Sequence, residues 1–497
     1  MRRREFFEVT KCARRYDRRE GKFIVGIAYR TATEITPRTI AVSEAFGMGV
    51  DQEQKFVVYD NVELKIGPKD IVLITGESGS GKSVLLRTLE KDIRDNLELG
   101  GVINIADVDV DQDKPLIDTV GKTVEEGLEL LSRVGLNDAF LFVRRYRELS
   151  DGQKYRYRIA KLIESGAQWW ILDEFAATLD RDTAKIVAFN LQKQARMCRK
   201  GVLAATTHTD LFQDLAPSVH IHKRYGKEIH VDYYPNTLAK ECSLTKEMSV
   251  VKASMKEYEE LAGFHYRQSG NLPVVHKVFA LKRGEETVGV IVYRSPGVMA
   301  LGRLLALGRK ALLTELNRDW TLISRVVVHP KYRTMGLGAK LVQDTLTKCG
   351  RLYVESIAVM AKYNPFFERA GMRRIAESTP DRRILQALAN LEALGFSSVF
   401  LSSETYNLAK FQADPKKVEK VKEILRKLGG LYAKRLAQAH KAFVKTAEFN
   451  VIVDKADPRR IASMLRILAV LAQPKVYLFW KNQPALSFTQ FLQENQP

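Results

Sequence analysis

Apolar and polar positions alternate in two distinct regimes along this chain. In the first half, Ile71–Thr75 is a short apolar run suited to a buried strand, and two further runs resemble it, WWIL within WWILDEF (169–175) and VLAA within VLAATTHTD (202–210). Helical stretches separate them, one after GESGSGKS (76–83) and one over KYRYRIAKLI (154–163). Residues 220–250 read as a closing strand pair and a polar connector. In the second half, KVFALKRGEETVGVIVYRSP opens a new sheet, and TLISRVVVHP (321–330) is a strand rich in β-branched residues. An amphipathic helix (KLVQDTLTKCG), a strand (RLYVESIAV, 351–359) and a short helix stopped by Gly371 follow. From 386 to 497 the pattern is mostly helical, and no internal repeat is present.

At 497 residues the chain should divide into two to four domains. No apolar run approaches the ~20 residues of a membrane-spanning helix. The basic start, MRRREFFEVTKCARRYDRRE, has no apolar segment behind it and does not read as a secretory signal. Cys12, Cys198, Cys242 and Cys349 form no CxxC pair, which argues against a zinc site or disulfide framework and suits a reducing, cytoplasmic setting. A net charge of +20 changes the picture more, because it favours a polyanionic partner, nucleic acid first, over general solubility or an anionic membrane surface.

The chemistry concentrates at two glycine-rich turns. The first, Gly76-Glu77-Ser78-Gly79-Ser80-Gly81-Lys82-Ser83, lies between a strand and a helix. Its glycines let backbone N–H groups face the β- and γ-phosphates of a nucleotide, and the helix dipole adds to that field. Lys82 would bridge phosphate oxygens and the Ser83 hydroxyl would hold Mg2+. Asp173, at the end of WWILDEF, suits a magnesium contact, and Glu174 suits a general base for the attacking water.

With LSDGQ (149–153), ATLD (177–180), Gln112 and His208 in order around them, these motifs resemble the ABC-type ATPases over about 50–235. LSDGQ stands where that family has LSGGQ. The resemblance implies that Ser150 and Gly152 contact the γ-phosphate, that Gln112 attends the metal and that His208 acts as the switch histidine. It also makes Asp180 the D-loop aspartate. It implies two copies paired head to tail, hence a homodimer. Phe46, Phe56 and Tyr59 all stand near enough to stack on adenine. Without membrane spans the chain is not a fused transporter, and about 66 residues between Ser83 and LSDGQ leave no room for a long coiled coil.

The second turn, HPKYRTMGLGA (329–339), joins a strand to a helix. With NPFFERAGM (364–372) it resembles the GNAT acyltransferases over about 245–380. The resemblance implies that Arg333, Gly336, Gly338 and Ala339 hold the pyrophosphate of acetyl-CoA. Backbone groups of Val326–Val328 would lie along the pantetheine arm, and Asn364 beside the thioester. Where the family often has a tyrosine acid, this chain has Phe367. Tyr363 is the substitute, Glu355 the best-placed carboxylate base and His265, in GFHYRQSGNLP, another acid–base candidate. The HYR element, GVIVYRSP and LNRDW also resemble the Mom-type DNA-modifying proteins of phages. The two halves together resemble archaeal and viral ATPase–acetyltransferase fusions.

The expected architecture is therefore α/β. A basic segment (1–50) would lead into an ABC-type ATPase domain (51–235). A connector (236–250), a GNAT-fold domain (251–385) and a mainly helical basic region (386–497) would follow. Expected cofactors are ATP, Mg2+ and acetyl-CoA, and the acceptor is an amine, with a nucleobase of DNA or RNA favoured by charge. The alternatives are an ATP-regulated acetyltransferase for a protein or small amine, and a non-catalytic nucleic-acid clamp. Two basic clusters could meet phosphates. One is Arg144, Arg145, Arg147, Tyr155, Arg156 and Arg158 around LSDGQ; the other is the lysine-rich stretch 416–445.

Overall fold

A computed structural model describes residues 7–31, 35–47, 55–136, 139–265, 274–298, 300–359, 361, 364–429, 432–439 and 444–482. The chain divides into two compact units. The first comprises Met1–Leu272, Lys277–Val292 and Arg325–Thr345, and the second Pro273–His276, Tyr293–Ser324 and Leu346–Pro497.

The first unit opens with an antiparallel meander of β1 (Phe7–Asp17), β2 (Lys22–Thr31) and β3 (Lys55–Lys65). A six-stranded sheet follows, built from β4 (Ile71–Gly76), β5 (Val102–Asn104), β6 (Trp169–Leu172), β7 (Gly201–Ala205), β8 (Val219–Lys223) and β9 (Ile229–Tyr233). Its order is β5-β6-β7-β4-β8-β9, parallel except for β9. The apolar runs predicted as buried strands are β4, β6 and β7, whose residues are all buried, as interior parallel strands covered on both faces must be. Helices α1 (Lys82–Asp95), α2 (Asp151–Glu164) and α3 (Arg181–Cys198) cover the sheet. Helix α1 buries Leu85, Leu86, Leu89 and Ile93, a single face at three- and four-residue spacing. The phosphate loop, Asp173–Glu174 and His208 thus all follow the carboxyl ends of parallel strands, where open α/β sheets bind ligands.

The second sheet contains β10 (Met248–Ala253), β11 (Val275–Arg283), β12 (Glu286–Arg294), β13 (Trp320–Val328), β14 (Tyr353–Ala358), β15 (Arg373–Ser378) and β16 (Lys475–Lys481). Its order is β10-β11-β12-β13-β14-β16-β15. Helix α4 (Leu337–Leu346) follows the second glycine-rich turn.

In the second unit, five longer helices between 382 and 471 pack around a core that includes Leu391, Leu425, Phe449 and Leu465. The basic helical region expected from 386 is mostly that bundle, but it is not a tail. Strand β16 returns from it and pairs antiparallel with both β14 and β15, so the helices are inserted between two strands of one sheet. KVYLFWK buries four consecutive residues and is a strand within the stretch whose pattern is mostly helical.

Candidate functional site

The first turn is a backbone cradle that requires glycine. Gly76, Gly79 and Gly81 have φ of +145°, +76° and +102°, conformations that L side chains rarely adopt. A Cβ on Gly76 would sit 2.0 Å from the Lys223 carbonyl oxygen, and one on Gly81 2.6 Å from Val58 Cγ1. Lys82 folds over the loop and donates to the carbonyls of Gly76 (2.8 Å) and Glu77 (2.6 Å). Burial lowers the pKa of this lysine, with Asp173 acting against the shift. The Ser80 hydroxyl is buried without a hydrogen-bond partner among the described residues, and Ser78 and Gly79 are exposed on the outer curve.

Around this cradle the fold gathers the expected partners. Ser83 Oγ donates to Asp173 Oδ1 at 2.9 Å, so two of the three predicted magnesium contacts meet. Glu174 N also donates to Asp173 Oδ1 (3.0 Å), and Glu174 is exposed at φ +49°, a costly conformation for a non-glycine residue. Gln112 is exposed on its loop. His208 N donates to Thr206 Oγ1 at 3.2 Å. Burial, and then the charge of Arg181, hold the His208 imidazole below its ordinary pKa. The signature motif folds as a capping box: Ser150 N donates to Gln153 Oε1 (3.0 Å) and Gln153 N to Ser150 Oγ (3.4 Å). Gly152 lies in the first turn of α2, where a Cβ would be 3.0 Å from Thr183. Asp180 caps α3 by accepting from Thr183 N at 3.1 Å.

Of the three aromatic candidates for adenine, Tyr59 is ruled out. It is buried and its hydroxyl donates to Gly81 O at 3.0 Å, which makes it a brace for the loop. Phe56 is exposed and packs on Tyr225 with centroids 5.4 Å apart, while Phe46 ends the helix Pro37–Phe46. The sequence reading did not anticipate Tyr225.

The second turn also has the predicted form. Strand β13 continues from Ile323 to Val328 beyond its last register pair with β14, Leu322–Glu355. His329 N donates to Val288 O, and Arg333 Nε to Val328 O at 3.2 Å. Thr334 and Gly336 take φ of +80° and +82°, after which Gly338 and Ala339 form the first turn of α4. Val326 and Val328 are half-buried on either side of buried Val327.

Known families match both regions of the chain. Residues 59–125 match the family model described as ABC transporter, and residues 241–372 match the acetyltransferase (GNAT) family model. The cytochrome c biogenesis ATP-binding export protein of Gluconobacter oxydans is 34% identical over 169 residues, which span 31% of this chain and 76% of that protein. The chain belongs to the ABC ATP-binding family. The counterpart from Paracoccus denitrificans is 33% identical over 28% of this chain and 70% of its own length. Among solved structures, a dimeric ATP-binding cassette in a post-hydrolysis state with ADP and Pi is 18% identical, covers 36% of this chain and 92% of that one, and has a TM-score of 0.30.

This ABC ATPase carries a GNAT-family acyltransferase domain, but one expected acyl-transfer residue, Glu355, is engaged by side chains of its own fold. Glu355 is 1% exposed and saturated. Its Oε1 accepts from Arg303 Nη2 (2.7 Å), and its Oε2 from Arg303 Nε (3.1 Å) and the Tyr477 hydroxyl (2.6 Å). Arg303 also lies over the Trp320 ring at 5.0 Å. With three donors on its two oxygens, Glu355 is held as an anchor between Arg303 and Tyr477. Phe367 is buried against Phe366, and half-buried Asn364 precedes that short helix. His265 is half-buried next to Phe264, which meets His329 edge-on. Tyr363, Tyr266 and Arg267 lie outside the described residues.

The ABC ATPase also uses charges that the sequence assigned to nucleic acid. Arg156 is buried and donates to Pro330 O and Lys331 O. Arg158 donates to Tyr146, Tyr155 sits against Phe175, and Arg147 pairs with Asp113. Helical periodicity could have revealed Arg156, since it shares a face with buried Ile159 and Ala160.

Proposed function

We propose that this protein is a homodimeric ATPase that transfers an acetyl group from acetyl-CoA to an amine, most readily a nucleobase in DNA or RNA, with ATP hydrolysis remodelling the substrate. The observation that carries this reading is the pair of cradles: each places a left-handed glycine turn between a strand and a helix N-terminus, with a cation at hand. The first fits a nucleoside triphosphate with magnesium on Ser83 and Asp173. The second fits the pyrophosphate of the coenzyme on Arg333 and the 336–339 backbone.

ATP supplies a phosphoanhydride. Lys82 and the loop N–H groups would bind its phosphates, Glu174 would take a proton from the attacking water, and His208 would orient groups at the γ-position. Head-to-tail pairing would complete each site with the partner's LSDGQ motif. Acetyl-CoA supplies a thioester, along which Val326–Val328 offer strand peptide groups. The acceptor assignment rests on the charge of +20, on exposed Arg144 and Arg145 and on the Mom-like stretch around His265. Reaching a base in a duplex costs a few kcal/mol of unstacking, which an ATP-driven clamp could supply. Among the described residues no helix is long and apolar enough to cross a membrane. The lack of paired cysteine motifs in the sequence suits the reducing cytoplasm, where we place the protein.

A rival reading is a clamp whose acyltransferase fold only binds, and the sequestered Glu355 and apolar Phe367 favour it. Radiolabelled acetyl-CoA with ATP and Mg2+, offered to tRNA, duplex DNA, single-stranded DNA and lysate protein, separates the two. Label in a nucleic acid, reduced by Glu174→Gln, supports the proposal. Label only in protein or small amines moves the acceptor. Failure to bind acetyl-CoA at all leaves the clamp.

A further inference from the structure

Arg156 belongs to the helix that begins at the ATPase signature, yet its guanidinium bonds to Pro330 and Lys331 end on the acyltransferase turn. Its guanidinium is buried, and it donates to the carbonyls of Pro330 (3.1 Å) and Lys331 (2.8 Å). A buried cation held by carbonyls is costly to desolvate, so these bonds must be kept for it to stay buried. Lys331 is held from a second side. Its ammonium lies 3.2 Å from Asp180 and 3.0 Å from Asp182, the cap and second residue of α3, directly after the ATLD motif. Asp182 is shared with Arg283 at 2.8 Å. A third ATPase segment closes on Thr334, where a Cβ on Gly135 would be 2.6 Å from Thr334 Cγ2. All of these residues lie in the first compact unit.

Residues 330, 331 and 334 are thus gripped by three ATPase segments, while Arg333 and Gly336, interleaved with them, are the expected coenzyme contacts. The electrostatics point the same way. Burial first, and then the charge of Arg333, depress the Arg156 pKa to about 10, so an anion on Arg333 relieves a repulsion within the turn. Burial alone would raise the Asp180 and Asp182 carboxyls, but their hydrogen bonds, Lys331's among them, outweigh it and lower both.

We infer that Arg156, Asp182 and Lys331 are positioning residues that make the coenzyme turn a reporter of the ATP site, so that ATP and acyl-CoA bind with positive linkage. ATP-driven movement of the signature helix or the α3 cap shifts the turn by the same contacts and frees the Lys331 charge toward the coenzyme pyrophosphate. The inference rests on the acyltransferase reading of this turn. Linkage is reciprocal, so the coenzyme must tighten ATP by the factor with which ATP tightens the coenzyme.

The test is calorimetric titration of acetyl-CoA into the full chain carrying Glu174→Gln, with and without ATP and Mg2+, and the reverse titration. The expected result is tightening of about fivefold or more in both directions, the lower end of ordinary coupling. Lys331→Met and Asp182→Asn, each checked for a cooperative melt, should bring the ratio towards one, and Lys331→Arg should restore part of it. No tightening, or the same tightening in Lys331→Met and Asp182→Asn, overturns the inference and leaves the acyltransferase reading standing. No binding of acetyl-CoA to the unsubstituted protein overturns both.

Discussion

Replacing Glu355 by Gln asks whether this carboxylate is an anchor or a base. The side chain is 1% exposed and Arg303 is 4% exposed, so neither charge has water to fall back on. Three donors converge on the carboxylate: Nη2 and Nε of Arg303, and the Tyr477 hydroxyl. Glutamine keeps the shape but offers one acceptor oxygen, and its amide hydrogens oppose a guanidinium donor. An uncompensated buried arginine costs about 3–5 kcal/mol. At 2–4 °C per kcal/mol for units of this size, the transition of the second unit should fall by about 6–20 °C in scanning calorimetry. Arg303→Met should cost a similar amount by leaving the carboxylate unpaired. The double replacement Arg303→Met with Glu355→Leu should recover most of the loss, because a buried pair exchanged for apolar groups is often neutral. If Glu355→Gln instead melts within about 1 kcal/mol of the original while acyl transfer collapses, Glu355 is a base and the anchor reading is refuted.

Phe56→Ala should weaken ATP about fivefold, from the loss of a stacking contact of about 1 kcal/mol, while Phe46→Ala changes it less than twofold. Displacement of a fluorescent nucleotide measures both, and the reverse ranking would move the adenine contact to Phe46. Gly81→Ala adds a Cβ 2.6 Å from Val58 at φ +102° and should cost about 1–2 kcal/mol in the denaturant midpoint and most ATP binding; an unchanged midpoint would show that the loop relaxes. Because burial and then Arg181 lower the His208 pKa below 6.5, its imidazole stays neutral until the pH falls below that value. The acid limb of ATPase activity should therefore lie below pH 6.5 and move upward in Arg181→Gln, and a limb above 6.5 in the parent enzyme would refute the assignment.

The ATP site was legible because its chemistry sits in contiguous motifs at strand ends. GESGSGKS needs glycine where φ is positive, and WWILDEF buries its apolar run and leaves its acids at the mouth. The second glycine-rich turn was legible as a turn for the same reason, with Gly336 at positive φ. What the sequence hid is long-range. Nothing near Glu355 announces Arg303, 52 residues away, or Tyr477, 122 residues away, and so a saturated carboxylate passed for a free one. Arg156 was read as surface charge because its carbonyl partners lie 174 and 175 residues on. Strand β16 escaped because its partners stand on the other side of the helical bundle.

Not every cation of the lysine-rich stretch is offered to a polyanion. In the lysine-rich stretch, Lys422 is buried on Glu419 and the Asp454 carbonyl, and Arg426 is paired with Asp454. Lys416, Lys420 and Lys427 remain exposed, and their spacing puts them on one face of the helix Lys416–Lys427. If that face tracks phosphates, changing all three to Gln should reduce the slope of log affinity against log salt by up to about 2.7 for duplex DNA, at roughly 0.9 per phosphate neutralised. Fluorescence anisotropy of a labelled duplex and a single strand across a KCl series gives the slope directly. An unchanged slope with weakening by Arg144→Gln and Arg145→Gln would move the contact to the segment before the ATPase signature, where closure of an ATP-bound dimer would act on it. The absence of salt-dependent binding to either polymer would refute a nucleic-acid partner and turn the search toward a small or protein-borne amine.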